Sequence, residues 1–324
     1  MDVLCLRPRA DFTRIGVEPP ASLKIEYRDP TDPQLKALIE AASALVIPAV
    51  GPNLAPALFE SAKLRLIQVT GAGVDRLDIG AMKRLGIPVA NVPGGSNSAV
   101  AEYVVTNASA LLRRFAWADQ EIKAGRYKEF RARMVADNLA GLEGLRAGIV
   151  GLGTIGLAVA RALRAAGCTL CYYDPAPRDP PAAAELGAER AELHTLLETS
   201  DIVTLHVPLL PATQGLIGEK QLATMKRGSI LINAARGGIV DEAALVNALS
   251  TGKLGGAAVD VYSVEPPDAT NPLLGATGEA RERLLLTPHI AGVSRQAWQT
   301  LFRDAWNNVE RVLRMNEAPL NRIT

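Results

Sequence analysis

Short apolar runs alternate with amphipathic stretches along most of the chain. VLCL, LKIEY, SALVI, RLIQVT and IPVANV are the runs up to about residue 93. RAGIVGLG, CTLCYYD, DIVTLHVP, GSILINAA, LGGAAVDVY and LLLTPH form a second set. Each is short and rich in Val, Ile, Leu or Ala, with little alternation of polar and apolar positions. That pattern predicts strands buried on both faces, and such strands separated by helices belong to parallel sheets. Two sets predict an α/β chain of two domains. One long helical pattern runs between them from about Ser98 to Lys123, and another follows the last strand from about Ser294 to Met315. The second is long enough to return to the first domain. The expected division is therefore 1–97, completed by 294–324, and 98–293. A length of 324 residues also exceeds what one ordinary core organises.

Composition narrows the class. The chain is 48% hydrophobic with a formal net charge of +1. That balance gives no electrostatic pull toward nucleic acid or an anionic membrane surface. No stretch approaches the roughly 20 apolar residues of a membrane span. The opening MDVLCLRP has an acid at its second position and only a short apolar run, so no signal peptide is expected and the location reads as cytoplasmic. Cys5, Cys168 and Cys171 fit a reducing compartment. Cys168 and Cys171 are spaced C-x-x-C, but within a strand pattern, where positions three apart face opposite sides. They read as structural thiols, and no second pair suggests zinc or another metal.

Candidate chemistry starts at AGIVGLGTIGLAVARAL. A strand pattern leads into Gly151, Gly153 and Gly156, and a helix pattern follows. In that context the spacing is a dinucleotide fingerprint. The first glycine allows a tight turn, the second lets backbone approach a pyrophosphate, and the third lets helix and strand pack closely. The helix start offers unpaired N–H groups to phosphate. The next strand ends at Asp174, where an acid about 20 residues on accepts from ribose hydroxyls and repels a 2′-phosphate. NAD is favoured over NADP, with Arg178 left as the residue that would assist a 2′-phosphate.

Three histidines are available. His194, in AERAELHTLLETSD, lies on a polar helical face. His206 ends a strand and reads as structural or as an edge of the cofactor site. His289, in LLLTPHIAG, ends a strand with Ala291 and Gly292 leaving room after it. Glu265 and Arg236 also lie just past strand ends, where open parallel sheets bind ligands. A histidine can exchange a proton with a carbonyl or hydroxyl oxygen, a glutamate can support its charged form, and an arginine can grip a carboxylate with two parallel hydrogen bonds. Arg236 otherwise pairs with a structural acid, Glu265 among them.

GLGTIG, HVPLLPATQGLI, INAARGGIVDEAAL, AAVDVYSVEPP and LLLTPHIAG, in this order, resemble the D-isomer-specific 2-hydroxyacid dehydrogenases. The resemblance covers essentially the whole chain. It implies two Rossmann-like domains: a doubly wound, NAD-binding one and a flavodoxin-like substrate domain. It implies catalytic roles for Arg236, Glu265 and His289 in interconverting a small 2-oxo acid and its D-2-hydroxy acid. It further implies cofactor contacts from Thr154, Ile155, Val207, Pro208, Thr213, Ala234, Ala235, Arg236, His289 and Gly292, with Asp260 on the nicotinamide carboxamide. TGAGVDRLD resembles the loop whose backbone, around Gly73 and Val74, receives the substrate carboxylate together with Arg236 and His289. Members are commonly homodimers joined near the helix at 98–123. Two positions depart from the usual pattern: Ala291 replaces a second glycine after the histidine, and Arg76 stands where relatives often have Asn. Nothing follows Thr324, so no appended regulatory domain is expected.

Two alternatives stay open. The fold also resembles NAD-sensing transcriptional corepressors, and some relatives oxidise unusual small anions such as formate or phosphite. The basic stretch Gly125 to Arg133 reads as a solvated face or as a contact for a second anionic group on a substrate.

Overall fold

The structure, a computed structural model, describes residues 1–176 and 181–324. It divides into two compact units, residues 1–96 with 293–324, and residues 97–292. Among the described residues no helix is long and apolar enough to cross a membrane.

In the first unit, β1 (Val3–Cys5), β2 (Ile25–Tyr27), β3 (Ala44–Ile47), β4 (Leu66–Val69) and β5 (Val89–Ala90) pair in parallel in the order β2-β1-β3-β4-β5. That order is the flavodoxin-like one. β1, β3, β4 and β5 are buried throughout, which explains their unbroken apolar sequences. One face of the sheet is covered by Phe12 and by the helix Arg295–Leu313, through Leu301, Phe302, Ala305, Trp306, Val309 and Val312. These side chains recur at three- and four-residue spacing, so they form one stripe of the helix. Ser294 caps that helix by accepting from the Ala297 N–H at 3.1 Å.

In the second unit, seven parallel strands follow: β6 (Arg146–Val150), β7 (Thr169–Tyr173), β8 (Ala188–Arg190), β9 (Ile202–Leu205), β10 (Ile230–Asn233), β11 (Gly256–Val259) and β12 (Leu284–Leu286). Their order is β12-β11-β10-β9-β6-β7-β8, so strand order reverses between β6 and β9. The helices Asn97–Leu112 and Thr154–Ala165 cover one face through Val104, Ala108, Val159 and Leu163. Leu196, Leu222, Leu245 and Leu249 cover the other. Cys168 belongs to the first of these cores and Cys171 to the second, as the strand geometry requires, and both are free thiols.

Two expectations are corrected. The helical pattern at 98–123 is not one helix: it breaks into Asn97–Leu112 and Phe115–Lys123 at Arg114, whose φ of 50° is left-handed. A further helix, Tyr127–Ala136, carries the basic stretch, where Arg126 pairs with Glu121 and Arg133 with Glu279. The stretch AER, assigned above to a polar helical face with His194, forms the edge strand β8. Its side chains are mostly exposed, so hydrophobic periodicity carries no signal for it.

Asn308 is a buried polar residue on the apolar stripe of the C-terminal helix. Its Nδ2 donates to Gln68 Oε1 at 2.6 Å and to the Leu320 carbonyl at 3.1 Å, and its Oδ1 accepts from the Leu320 N–H at 2.7 Å. Replacing it by Ala leaves buried partners unmatched, at a cost of about 1–3 kcal/mol. Asn308→Ala is expected to lower the urea midpoint accordingly at unchanged m-value. A wild-type midpoint would show that this node does not hold the helix to the sheet.

Candidate active site

All seven strands of the second unit run in parallel, so their carboxyl ends lie along one edge. Almost every residue singled out in this unit lies at or beyond that edge. Gly151 follows β6, Asp174 follows β7, and His206, Val207 and Pro208 follow β9. Ala234, Ala235 and Arg236 follow β10, Asp260 and Glu265 follow β11, and His289 and Gly292 follow β12.

The glycine turn is built by close approach. Gly151 has φ 94°, and a Cβ there would stand 2.8 Å from the His206 carbonyl. A Cβ on Gly156 would lie 2.1 Å from the Gly151 carbonyl oxygen. Around Gly153 the corresponding space is open. Gly153 is the N-cap of the helix Thr154–Ala165 and provides no side-chain cap. The first-turn N–H groups, Thr154 and Ile155 included, are thus left for an anionic ligand, and the helix dipole favours one. Asp174 braces this turn, accepting from the Leu152 N–H and the Ala176 N–H, each at 2.9 Å. These features fit a dinucleotide. Arg178 lies outside the described residues. Thr213 is buried, and its hydroxyl donates to the Pro208 carbonyl at 2.6 Å, closing the turn after β9.

Glu265 and His289 meet. Nδ1 of His289 is 2.8 Å from Oε2 of Glu265, with 27% of each side chain exposed. Glu265 Oε1 accepts from the Tyr262 N–H at 3.0 Å. Burial pushes the Glu265 carboxyl up. The His289 and Tyr262 hydrogen bonds and the charges of His289 and Arg236 outweigh it and hold the group below the usual carboxylate value. Arg236 donates Nη1 to the Ala235 carbonyl at 2.7 Å, and its own carbonyl accepts from Asn233 at 3.2 Å. The next residue, Gly237, has no room for a side chain, since a Cβ there would lie 1.8 Å from the Tyr262 carbonyl oxygen. The Arg236 turn and the Tyr262–Glu265 turn therefore pack backbone to backbone.

His289 has φ 56°, a left-handed conformation that costs a non-glycine residue free energy. Asp260 offsets this cost. Its carbonyl accepts from the His289 N–H at 2.8 Å. Its carboxylate accepts from the Ile290 N–H at 2.8 Å, the Ala291 N–H at 2.7 Å and the Thr287 hydroxyl at 2.5 Å. Burial still pushes this fully enclosed carboxyl above its ordinary value. Tyr103 adds a further link, its hydroxyl 2.7 Å from that of Thr287. Neither Tyr103 nor Thr287 was visible as a site residue in the sequence. Thr287 had one local signal, its place two positions before the histidine, and Tyr103 had none.

The other histidines part company with this site. Burial pushes the His206 imidazole down to about 3, which favours its neutral form, and its Nε2 lies 2.9 Å from the Thr204 hydroxyl. His194 is exposed, 3.9 Å from Glu198. In the first unit, Gly73 and Val74 lie in the turn after β4. The Asn91 side chain holds that turn by donating to the Ala72 carbonyl at 2.7 Å.

A parallel dinucleotide-binding sheet whose edge carries a histidine–carboxylate pair and an arginine has the layout of a nicotinamide-dependent oxidoreductase. The particular family follows from comparison. The chain belongs to the D-isomer-specific 2-hydroxyacid dehydrogenases, whose NAD-binding domain model matches residues 105–291. A glyoxylate reductase of Korarchaeum cryptofilum is 36% identical over 303 residues, 90% of this chain and 88% of that one. A D-3-phosphoglycerate dehydrogenase of Archaeoglobus fulgidus is 40% identical over 234 residues, but the match spans only 42% of its length and 72% of this chain. The solved NAD-dependent formate dehydrogenase of Staphylococcus aureus, in complex with NAD, has a TM-score of 0.81 at 25% identity, over 100% of this chain and 99% of that one.

The 2.1 Å approach at Gly156 leads to a direct test. Gly156→Ala is expected to force the helix off the turn and to weaken NADH at least ~10-fold, or ~1.4 kcal/mol, in a fluorescence titration. Unchanged NADH affinity would mean that the turn does not cradle the dinucleotide.

Proposed function

We propose that the protein interconverts a small 2-oxo acid and the corresponding D-2-hydroxy acid with NAD as the redox partner. The observation that carries this reading is the His289–Glu265 contact at the carboxyl edge of the dinucleotide-binding sheet. Bound nicotinamide supplies or accepts the hydride. The chain's own residues hold the substrate and move the proton. Arg236 grips the substrate carboxylate. His289 in its protonated form donates to the carbonyl oxygen during reduction, and in its neutral form accepts from the hydroxyl during oxidation. Glu265, anionic at neutral pH, orients the ring and favours its charged form. Gly151, Gly153, Thr154, Ile155 and Gly156 take the pyrophosphate. Asp174 takes the ribose hydroxyls, and Val207, Pro208, Thr213, Ala234, Ala235 and Gly292 line the rest of the cofactor. Asp260 already accepts three hydrogen bonds from its own chain, so its contribution to the carboxamide goes with holding the His289 turn.

The working form in this reading is a cytoplasmic homodimer, where Cys5, Cys168 and Cys171 stay reduced. Exposed apolar side chains at Phe115, Ile122, Tyr127 and Val135 support a subunit interface along the helices after residue 114.

Cofactor choice tests the Asp174 assignment. Asp174→Ala is expected to raise KM for NADH and to narrow its advantage over NADPH. A wild-type enzyme that prefers NADPH in the same comparison would overturn the assignment.

The proton pair has a signed pH test. Glu265 is held low partly by the charge of His289, and the coupling is reciprocal, so the carboxylate favours the protonated ring. Glu265→Gln removes that charge and keeps the shape. Reductive kcat/KM is expected to fall off at lower pH than in wild type, and oxidative kcat/KM to persist to lower pH. Profiles that stay in place or move upward would sink the pairing.

A further inference from the structure

Glu265 belongs to a segment outside helix and strand, and most of its residues from Ser263 to Thr270 are exposed. Such a segment has little apolar burial to fix it, so its hydrogen bonds decide where it lies. Two of them end on one side chain. Glu242, in the first turn of the helix Glu242–Ser250, accepts from the Ser263 N–H through Oε1 at 2.8 Å. Its Oε2 accepts from Asn271 Nδ2 at 2.9 Å. The two donors bracket Glu265 in the sequence. One carboxylate thus closes the base of the loop that carries Glu265. Both partners are neutral and the acceptor is charged, so each bond is of the stronger, charge-assisted kind.

The clip is anchored on both sides. Asp241 caps the helix, accepting from the Ala244 N–H at 3.0 Å, and an anionic side chain in the first turn suits the helix dipole. Asn271 Oδ1 accepts from the Leu273 N–H at 3.0 Å, and Leu273 is a core residue of the second unit. That bond fixes the amide. With Oδ1 taken by Leu273, Nδ2 is the atom that faces Glu242. Just before the clip, Tyr262 donates its hydroxyl to the Thr287 carbonyl at 3.0 Å.

We propose that Glu242 is a positioning residue for Glu265, clipping Ser263 to Asn271 and so setting the place from which Glu265 meets His289. The inference rests on the proton-pair reading above and extends it to a side chain outside the pair. The charged and titratable groups around Glu265 are His289, Arg236 and Tyr262, and around Tyr262 stand Asp260 and Glu242. A change at Glu242 therefore alters a nearby charge as well as the clip, and the variants must separate the two.

Three variants do so. Glu242→Gln keeps the shape but turns one of two acceptors into a donor, so either Ser263 or Asn271 then faces an N–H. Asn271→Ala opens the clip with no change of charge. Glu242→Gln combined with Asn271→Asp closes it again with donor and acceptor exchanged and the net charge kept. Each single variant is expected to lower reductive kcat by about tenfold, the scale of one charge-assisted hydrogen bond. NADH affinity, read by fluorescence titration, is expected to stay at the wild-type value. The alkaline limb of reductive kcat/KM is expected to move to lower pH in both, the direction expected of Glu265→Gln. The combined variant is expected to recover kcat and the limb together. A lowered thermal midpoint with an unmoved limb would overturn the proposal, since the clip would then serve stability alone. So would a limb that moves in Glu242→Gln but not in Asn271→Ala, which would assign the effect to charge, and so would a combined variant that recovers nothing. If Glu265→Gln itself leaves the limb in place, the proton-pair reading fails and this inference with it. If that limb moves and those of the clip variants do not, this inference fails alone.

Discussion

A carboxylate with no solvent exposure, that of Asp260, holds the edge of the second unit in place. His289 occupies a backbone conformation that favours glycine, and its ring must nevertheless meet Glu265. Asp260 makes both possible. Its carbonyl takes the His289 N–H, and its carboxylate takes the next two N–H groups and the Thr287 hydroxyl. The three donors offset much of the cost of burying the group, although burial still pushes it above its ordinary value. Removing that acceptor would leave the turn Thr287–Ala291 with unpaired N–H groups and no reason to keep its strained residue.

Around this point the edge is assembled by backbone contact more than by side-chain packing. Gly156 against the Gly151 carbonyl, and Gly237 against the Tyr262 carbonyl, bring successive turns closer than any side chain would allow. The charged groups are thereby concentrated, and they tune one another. Glu265 stays low against its own burial because His289, the Tyr262 N–H and Arg236 favour its charged form. The first unit uses the same carboxyl-edge architecture with a different charge balance. Its guanidinium at Arg76 is buried among carbonyl dipoles, whereas its neighbour Arg7 has Asp11.

Most of the strands were legible because a strand covered on both faces is apolar at nearly every position, and that pattern survives without knowledge of its neighbours; β2, with Glu26, and β12 are only half-buried. β8 escaped because it lies at the sheet edge, where Glu189 and Arg190 point to solvent and periodicity means little. The break at Arg114 escaped because a left-handed residue there is a property of the backbone and not of an arginine side chain. At the candidate site, Gly151, Asp174, Arg236, Glu265 and His289 were legible because each lies just past a strand. His206 was left open in the sequence, since it has the same placement as His289. Only burial and its contact with Thr204 separate the two.

The sequence by itself determined the two parallel sheets, the glycine turn, and the residues available at the strand ends, because each depends on a few neighbouring positions and on elementary strand and helix geometry. The tertiary structure decided which of those residues meet. Tyr103 reaches Thr287 across 184 residues, and no spacing rule anticipates that hydrogen bond. It also decided the electrostatic state of each group. A carboxylate is low at Glu265 and raised at Asp260 because one has a histidine opposite it and the other is fully enclosed. An arginine one step after an aspartate in a loop reads as surface. The fold made Arg76 a buried cation held by the Pro48 and Pro52 carbonyls, because solvation and hydrogen bonding depend on distances that only the folded chain sets.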